Sequence, residues 1–142
     1  MNKKGFTLIE LLVVVAIIGL LSTLAVVALS TAREKTRDSK RLSDLKNIQT
    51  ALELHYTGNN QYPVAAVGVE LGAGDFACLN GDGFAAAGCA EPFLSAVPTG
   101  PNAGEVYTYT SADGTAFTVV ATLEGELGGL NGEVTASPSG IN

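Results

Sequence analysis

Residues 6–29 of this chain read FTLIELLVVVAIIGLLSTLAVVAL, an apolar block of 24 residues whose only charge is Glu10. As an α-helix rising ~1.5 Å per residue it reaches ~36 Å, enough to cross a hydrocarbon layer ~30 Å thick. Thirteen Leu, Ile and Val residues lie between positions 11 and 29, and on the membrane-insertion scale they favour insertion by roughly 4–8 kcal/mol. A carboxylate at mid-span costs roughly 2.5–3.5 kcal/mol, and less near a helix end, where Glu10 sits. Insertion therefore survives the acid. A secretory signal has a shorter, uncharged apolar core followed by small residues. Ala28-Leu29-Ser30 offers a weak cleavage site of that kind, but the block is too long and carries an acid.

The helix is expected to continue past the apolar block. From Thr31 to Tyr56 there is no Gly or Pro, and Leu42, Leu45, Ile48, Leu52 and Tyr56 recur at intervals of three and four. That spacing predicts an amphipathic helix with one apolar stripe. Thr57-Gly58-Asn59-Asn60 supplies a stop, with Pro63 beyond it. The chain divides on this reading into residues 1–5, an apolar helix over 6–29, an amphipathic continuation over 30–57 and a head over 58–142. Within the head, 58–104 is rich in Gly, Ala and Pro and reads as a long connecting loop. Residues 105–136 read as a small antiparallel sheet: Glu105–Ser111 alternates with Tyr107 and Tyr109 on one face, Asp113-Gly114 is a hairpin turn, 115–123 returns, and 132–136 gives a short third strand. The tail SPSGIN reads as frayed. The expected fold is α+β, a long helix packed on a small antiparallel sheet.

Charge is segregated. The formal net charge is −6; Lys3 and Lys4 precede the apolar block, and the other six cations (Arg33, Lys35, Arg37, Lys40, Arg41, Lys46) fall between 33 and 46. Ten acids follow, from Glu53 to Glu133, with no further Lys or Arg. Nucleic-acid phosphates would be repelled by such a head, so direct nucleic-acid binding is not expected. Cys78 and Cys89 are not spaced as a metal pair, and the only histidine, His55, has no cysteine neighbour. Outside the cytoplasm they would close a 12-residue loop as a disulfide; the alternative is two buried free thiols. Asp75, Asn80 and Asp82 offer oxygens to a cation but match no EF-hand spacing, and turn chemistry explains them as well. No metal or cofactor is expected. Neither GxSxG, HExxH nor a phosphate loop is present, and no catalytic residue is assigned.

Gly5-Phe6-Thr7-Leu8-Ile9-Glu10, followed by the apolar run, resembles the processing site of type IV prepilins and of the pseudopilins of type II secretion and competence systems. The likeness is most specific over residues 3–21 and continues through the amphipathic helix to Asn60-Gln61-Tyr62-Pro63. It implies cleavage between Gly5 and Phe6 by a prepilin peptidase that also methylates the new Phe6 amine. Glu10 would then be the assembly glutamate. Further implied are identical subunits as partners in a homopolymer, an inner-membrane assembly platform, and residence in the cytoplasmic membrane with the head outside until the subunit joins a filament. Two cations before the apolar block and six after it would by themselves place the head inside; the family's topology is the reverse, because the leader must face the peptidase. Many relatives carry a proline partway along the membrane helix, where this chain has only Gly19, Ser22 and Thr23 to loosen it.

The primary expectation is a type IV pilus-like filament subunit, with a secretion or competence pseudopilin as the alternative within the family. A single-pass anchored binding domain that never polymerises is the alternative outside it. The basic helix segment and acidic head are read either as complementary surfaces between subunits or as solvated surface.

Overall fold

The computed structural model describes residues 5–142, so all of the expected leader except Gly5 lies outside the described residues. Helix α1 (Leu8–Asn59) is 52 residues long. The chain forms two units divided between Glu34 and Lys35. In the first, every Phe, Leu, Ile and Val from Phe6 to Leu29 is 48–85% exposed. Among the described residues, α1 is the one helix long and apolar enough to span a membrane by length and composition. Its two mid-span hydroxyls bond inside the helix, Ser22 Oγ donating to Ile18 O at 2.7 Å and Thr23 Oγ1 to Leu20 O at 2.8 Å. Neither then needs water, which lowers its cost in lipid.

The second unit begins at Lys35. Here Leu45, Ile48, Ala51 and Leu52 turn inward at helical spacing and join Tyr62, Tyr107, Tyr109, Phe117, Val119 and Val134 in one core. Leu45, Ile48 and Leu52 are fully buried, each worth about 1.5–3 kcal/mol of transfer free energy. The helix ends where the backbone turns left-handed at Asn60 (φ 56°), whose N–H closes on Tyr56 O at 2.7 Å. Asparagine tolerates that conformation better than most side chains, which makes it a workable C-cap.

The partner of the helix is a five-stranded antiparallel sheet, order β1-β4-β5-β6-β7. The strands are β1 (Ala65–Glu70), β4 (Thr108–Ser111), β5 (Thr118–Thr122), β6 (Glu133–Ser137) and β7 (Gly140–Ile141). Strands β4, β5 and β6 bury alternate residues, Tyr109 and Ser111, Val119 and Ala121, Val134 and Ala136, as a sheet with one covered face requires. Gly114 (φ 77°) makes the β4–β5 turn; its carbonyl accepts the Tyr62 N–H at 2.8 Å.

Two sequence expectations change. Residues 58–104 are not a plain loop. They supply edge strand β1, a 3-10 turn (Gly74–Phe76) and a two-stranded hairpin, β2 (Cys78–Asn80) with β3 (Gly83–Ala85). Strand β1 lacks alternation because its pairing with β4 shifts register between Ala65 and Val69. Nor is the C-terminus frayed: β7 pairs with β6, and Asn142 and Thr135 exchange backbone bonds of 2.9 and 3.1 Å.

Cys78 and Cys89 form a disulfide with their Cα atoms 6.2 Å apart. It closes the hairpin loop, and the chain-entropy relation for a loop of this length gives about 3 kcal/mol. Cys78→Ser/Cys89→Ser protein is therefore expected to lose about that much stability in chemical denaturation, matched by reduction of the native protein.

Candidate functional site

Gly5 and Phe6 precede α1 in non-helical backbone, both exposed. Phe6 is 85% exposed and Gly5 has no neighbour within reach of a Cβ, so the intervening peptide is open to a protease. Thr7 is the N-cap. Its N–H and its hydroxyl both donate to Glu10 Oε2 at 2.8 Å, and the Glu10 N–H returns a 3.3 Å bond to Thr7 Oγ1. This is a reciprocal capping box in the pattern T-x-x-E, with the acid also complementing the positive end of the helix. The structure thus brings Glu10 to Thr7. Thr7 is not among the residues singled out from the sequence, although its spacing of three from Glu10 is visible there. Both Thr7 bonds fall on one carboxylate oxygen, so the cap orients the group without enclosing it.

The basic stretch of α1 takes part in a charged network within the second unit. Arg41 is buried. Its Nε and Nη2 donate to Glu105 at 2.6 and 2.8 Å, its Nη1 to Asp38 at 2.6 Å and its Nη2 to Glu124 at 2.7 Å. Arg37 also pairs with Glu124. The backbone N–H groups of Glu124 and Gly125 each donate to Asp38 at 2.9 Å. Lys40 bonds Asp44 at 2.5 Å and the Thr99 carbonyl at 2.9 Å, and the Tyr107 hydroxyl donates to Asp44 at 2.8 Å. Arg37, Lys40 and Arg41 are therefore paired within the subunit, Arg41 buried and Lys40 still about half exposed; they clamp the 99–105 and 124–125 loops onto the helix. His55 is buried, with Nδ1 3.0 Å from Gln61 O and Nε2 3.2 Å from the Asn59 amide nitrogen. Asp82 N–H donates to Asn80 Oδ1 at 3.0 Å, an Asx turn.

These contacts set the pH response of the head. The bond from Arg41 holds Glu105 below the usual carboxylate range, and those from Arg37 and Arg41 hold Glu124 well below it. Burial pushes Asp38 up, but the two backbone N–H groups and Arg41 together bring it below its ordinary value. Depressed carboxylates stabilise the fold above their unfolded values of about 4 and lose that contribution as pH falls through the folded ones. Burial pushes Tyr109 up to about 12 and Tyr107 and Tyr62 higher still. Their contribution is complete below the unfolded tyrosine value of about 10 and is lost as pH rises through the folded ones. Head stability in detergent should therefore be flat between about pH 5 and 10 and fall on both sides. A steep loss already at pH 6 in near-ultraviolet circular dichroism would contradict this assignment.

Residues 1–26 match the family described as the prokaryotic N-terminal methylation motif. The chain is 38% identical over 69 residues to type II secretion system core protein G of Escherichia coli (strain K12), covering 49% of this chain and 48% of that one. It is 37% identical over 69 residues to the core protein G of Pectobacterium carotovorum subsp. carotovorum, covering 49% and 44%. These matches support the resemblance of the N-terminal half to type IV pilins and pseudopilins. The core protein G of Pseudomonas aeruginosa is likewise 35% identical over 69 residues, 49% of each chain. The chain spans about half the length of the curated relatives it matches. No solved structure matches it. Sequence and structure thus agree on a pilin-like fold in which the later part of a long N-terminal helix packs on an antiparallel sheet. Relatives named for type II secretion favour the pseudopilin alternative over the broader type IV pilus expectation.

Proposed function

We propose that the chain is a pseudopilin, a structural and non-enzymatic subunit that polymerises through α1 into a short filament serving protein secretion. The observation that carries this reading is the match to secretion core protein G from three genera, joined to the methylation motif. Residues 1–5 are the leader. A prepilin peptidase facing the cytoplasm cuts between Gly5 and Phe6 and methylates the new amine. The exposed peptide at Gly5–Phe6 suits that step. The processed subunit waits in the inner membrane on its apolar helix, with the head outside the cytoplasm, and an assembly platform draws it into the polymer.

Glu10 sets the register of that polymer. Cleavage leaves a cation on Phe6 at the edge of an apolar environment, where an unpaired charge costs several kcal/mol. The Glu10 carboxylate of a neighbouring subunit neutralises it and fixes the axial stagger between helices. The test is deletion of the gene followed by overproduction. Loss of secreted proteins from the medium, with sheared fibres appearing only on overproduction, is the expected result. Long surface fibres at native expression would instead identify a pilus subunit, and a protein that stays monomeric with its leader attached would refute polymerisation.

A further inference from the structure

At the C-terminal end of α1 the head carries a cavity of about 540 Å³ that the filament chemistry of Gly5, Phe6 and Glu10 does not use. His55, Tyr62, Phe76 and Phe84 line it, with Asn59 and Asp82. The wall holding Asp82 is braced on three sides. Asn59 Nδ2 donates to Gly81 O at 2.7 Å, tying the helix end to the β2–β3 turn; Asn80 holds the Asp82 N–H; and the Cys78–Cys89 disulfide closes the same loop. Asp82 itself is exposed.

The cavity suits a cation carried on an apolar stem. The last turn of α1 has no basic residue, so no cation of that turn offsets the negative end of its dipole, although Asn59 Nδ2 donates to the His55 carbonyl at 3.3 Å. Phe76, Phe84 and Tyr62 offer ring surface to the stem and to the charge. The sequence places no Lys or Arg after Lys46. Cations of matching chemistry lie instead at Arg33 and Lys35, both exposed and absent from the ion pairs found among the described residues.

We propose that this cavity receives the Arg33 or Lys35 side chain of a second copy of this chain, with Asp82 as its counter-charge. The inference rests on the filament reading and adds to it a contact between one subunit's head and another's helix.

Charge reversal in the full-length chain tests it, scored as the yield of sheared fibres on overproduction. Asp82→Lys should lower the yield by about five-fold, the upper end for a partly exposed ion pair. Combining it with Arg33→Asp or with Lys35→Asp should restore the yield to within about two-fold for whichever cation is the donor. Formation of the Cys78–Cys89 disulfide, read by gel mobility, reports that each variant folds, and Asp82→Asn serves as the milder variant should Asp82→Lys misfold. Wild-type yield from both Asp82 variants overturns the inference, as does failure of both charge swaps. Loss on Arg33→Asp or Lys35→Asp with no response to Asp82 also overturns it and assigns those cations to lipid headgroups. Absence of fibres from the wild type is a different result and refutes the filament reading itself.

Discussion

Glu10→Ala subunits are expected to be cut at Gly5 and to accumulate in the membrane, while filament yield falls by about 100-fold or more. The magnitude follows from the geometry of the assembled state. Helices bundled away from water leave each Phe6 amine without a partner once the carboxylate is gone, and removing one partner of a buried pair costs about 3–5 kcal/mol. At about 1.4 kcal/mol per factor of ten, that is two to three orders of magnitude in the assembly equilibrium. Loss of the Thr7 cap accounts for only about 1 kcal/mol. Glu10→Gln separates the two contributions, because the amide oxygen still accepts from Thr7 while the charge is absent. If register depends on the charge, Glu10→Gln assembles as poorly as Glu10→Ala. Normal fibres from either variant would show that Glu10 is only a helix cap.

Arg41→Ala should destabilise the head by about 3–5 kcal/mol, the largest effect expected of a single substitution outside the apolar helix. Arg41 is 2% exposed and answers three carboxylates, Asp38, Glu105 and Glu124. Without the guanidinium, Asp38 stays buried with only its two backbone donors, and the loops carrying Glu105 and Glu124 lose their shared anchor. Thermal melting of the full chain in detergent, followed through the tyrosine signal of the head, measures the loss. The double variant Arg41→Ala/Glu105→Gln should cost less than the sum of the two single changes, because both act on one bond pair. A cost below about 1 kcal/mol for Arg41→Ala would place Arg41 among ordinary surface pairs.

The elements that were legible in the sequence are those whose determinants are local. The apolar run, the stripe Leu45, Ile48 and Leu52, and the Asp113-Gly114 turn all specify their structure through neighbours a few residues away. What escaped depends on distant partners. Arg41 meets Glu105 and Glu124 across separations of 64 and 83 residues, and Asp38 meets the N–H of Gly125 across 87. No spacing rule links such positions, so the cations of α1 read as a solvated or intersubunit face when three of them pair within the subunit. Strand β1 escaped for a different reason: its register shift against β4 removes the period of two that marks a strand. The burial of His55 is set by the 61–64 and 81–84 segments folding over the helix end, which the helix pattern does not encode. The Thr7–Glu10 cap lies between these cases; its pattern is local, but the acid invited a functional reading first.

Mass spectrometry of the N-terminal peptide, from membranes and from sheared fibres of the same cells, bears most directly on all of this. The expected peptide begins at Phe6 and carries one added methyl group in both fractions. A peptide that retains Gly5 or any residue before it, from cells that form no fibres, would contradict the account at its root.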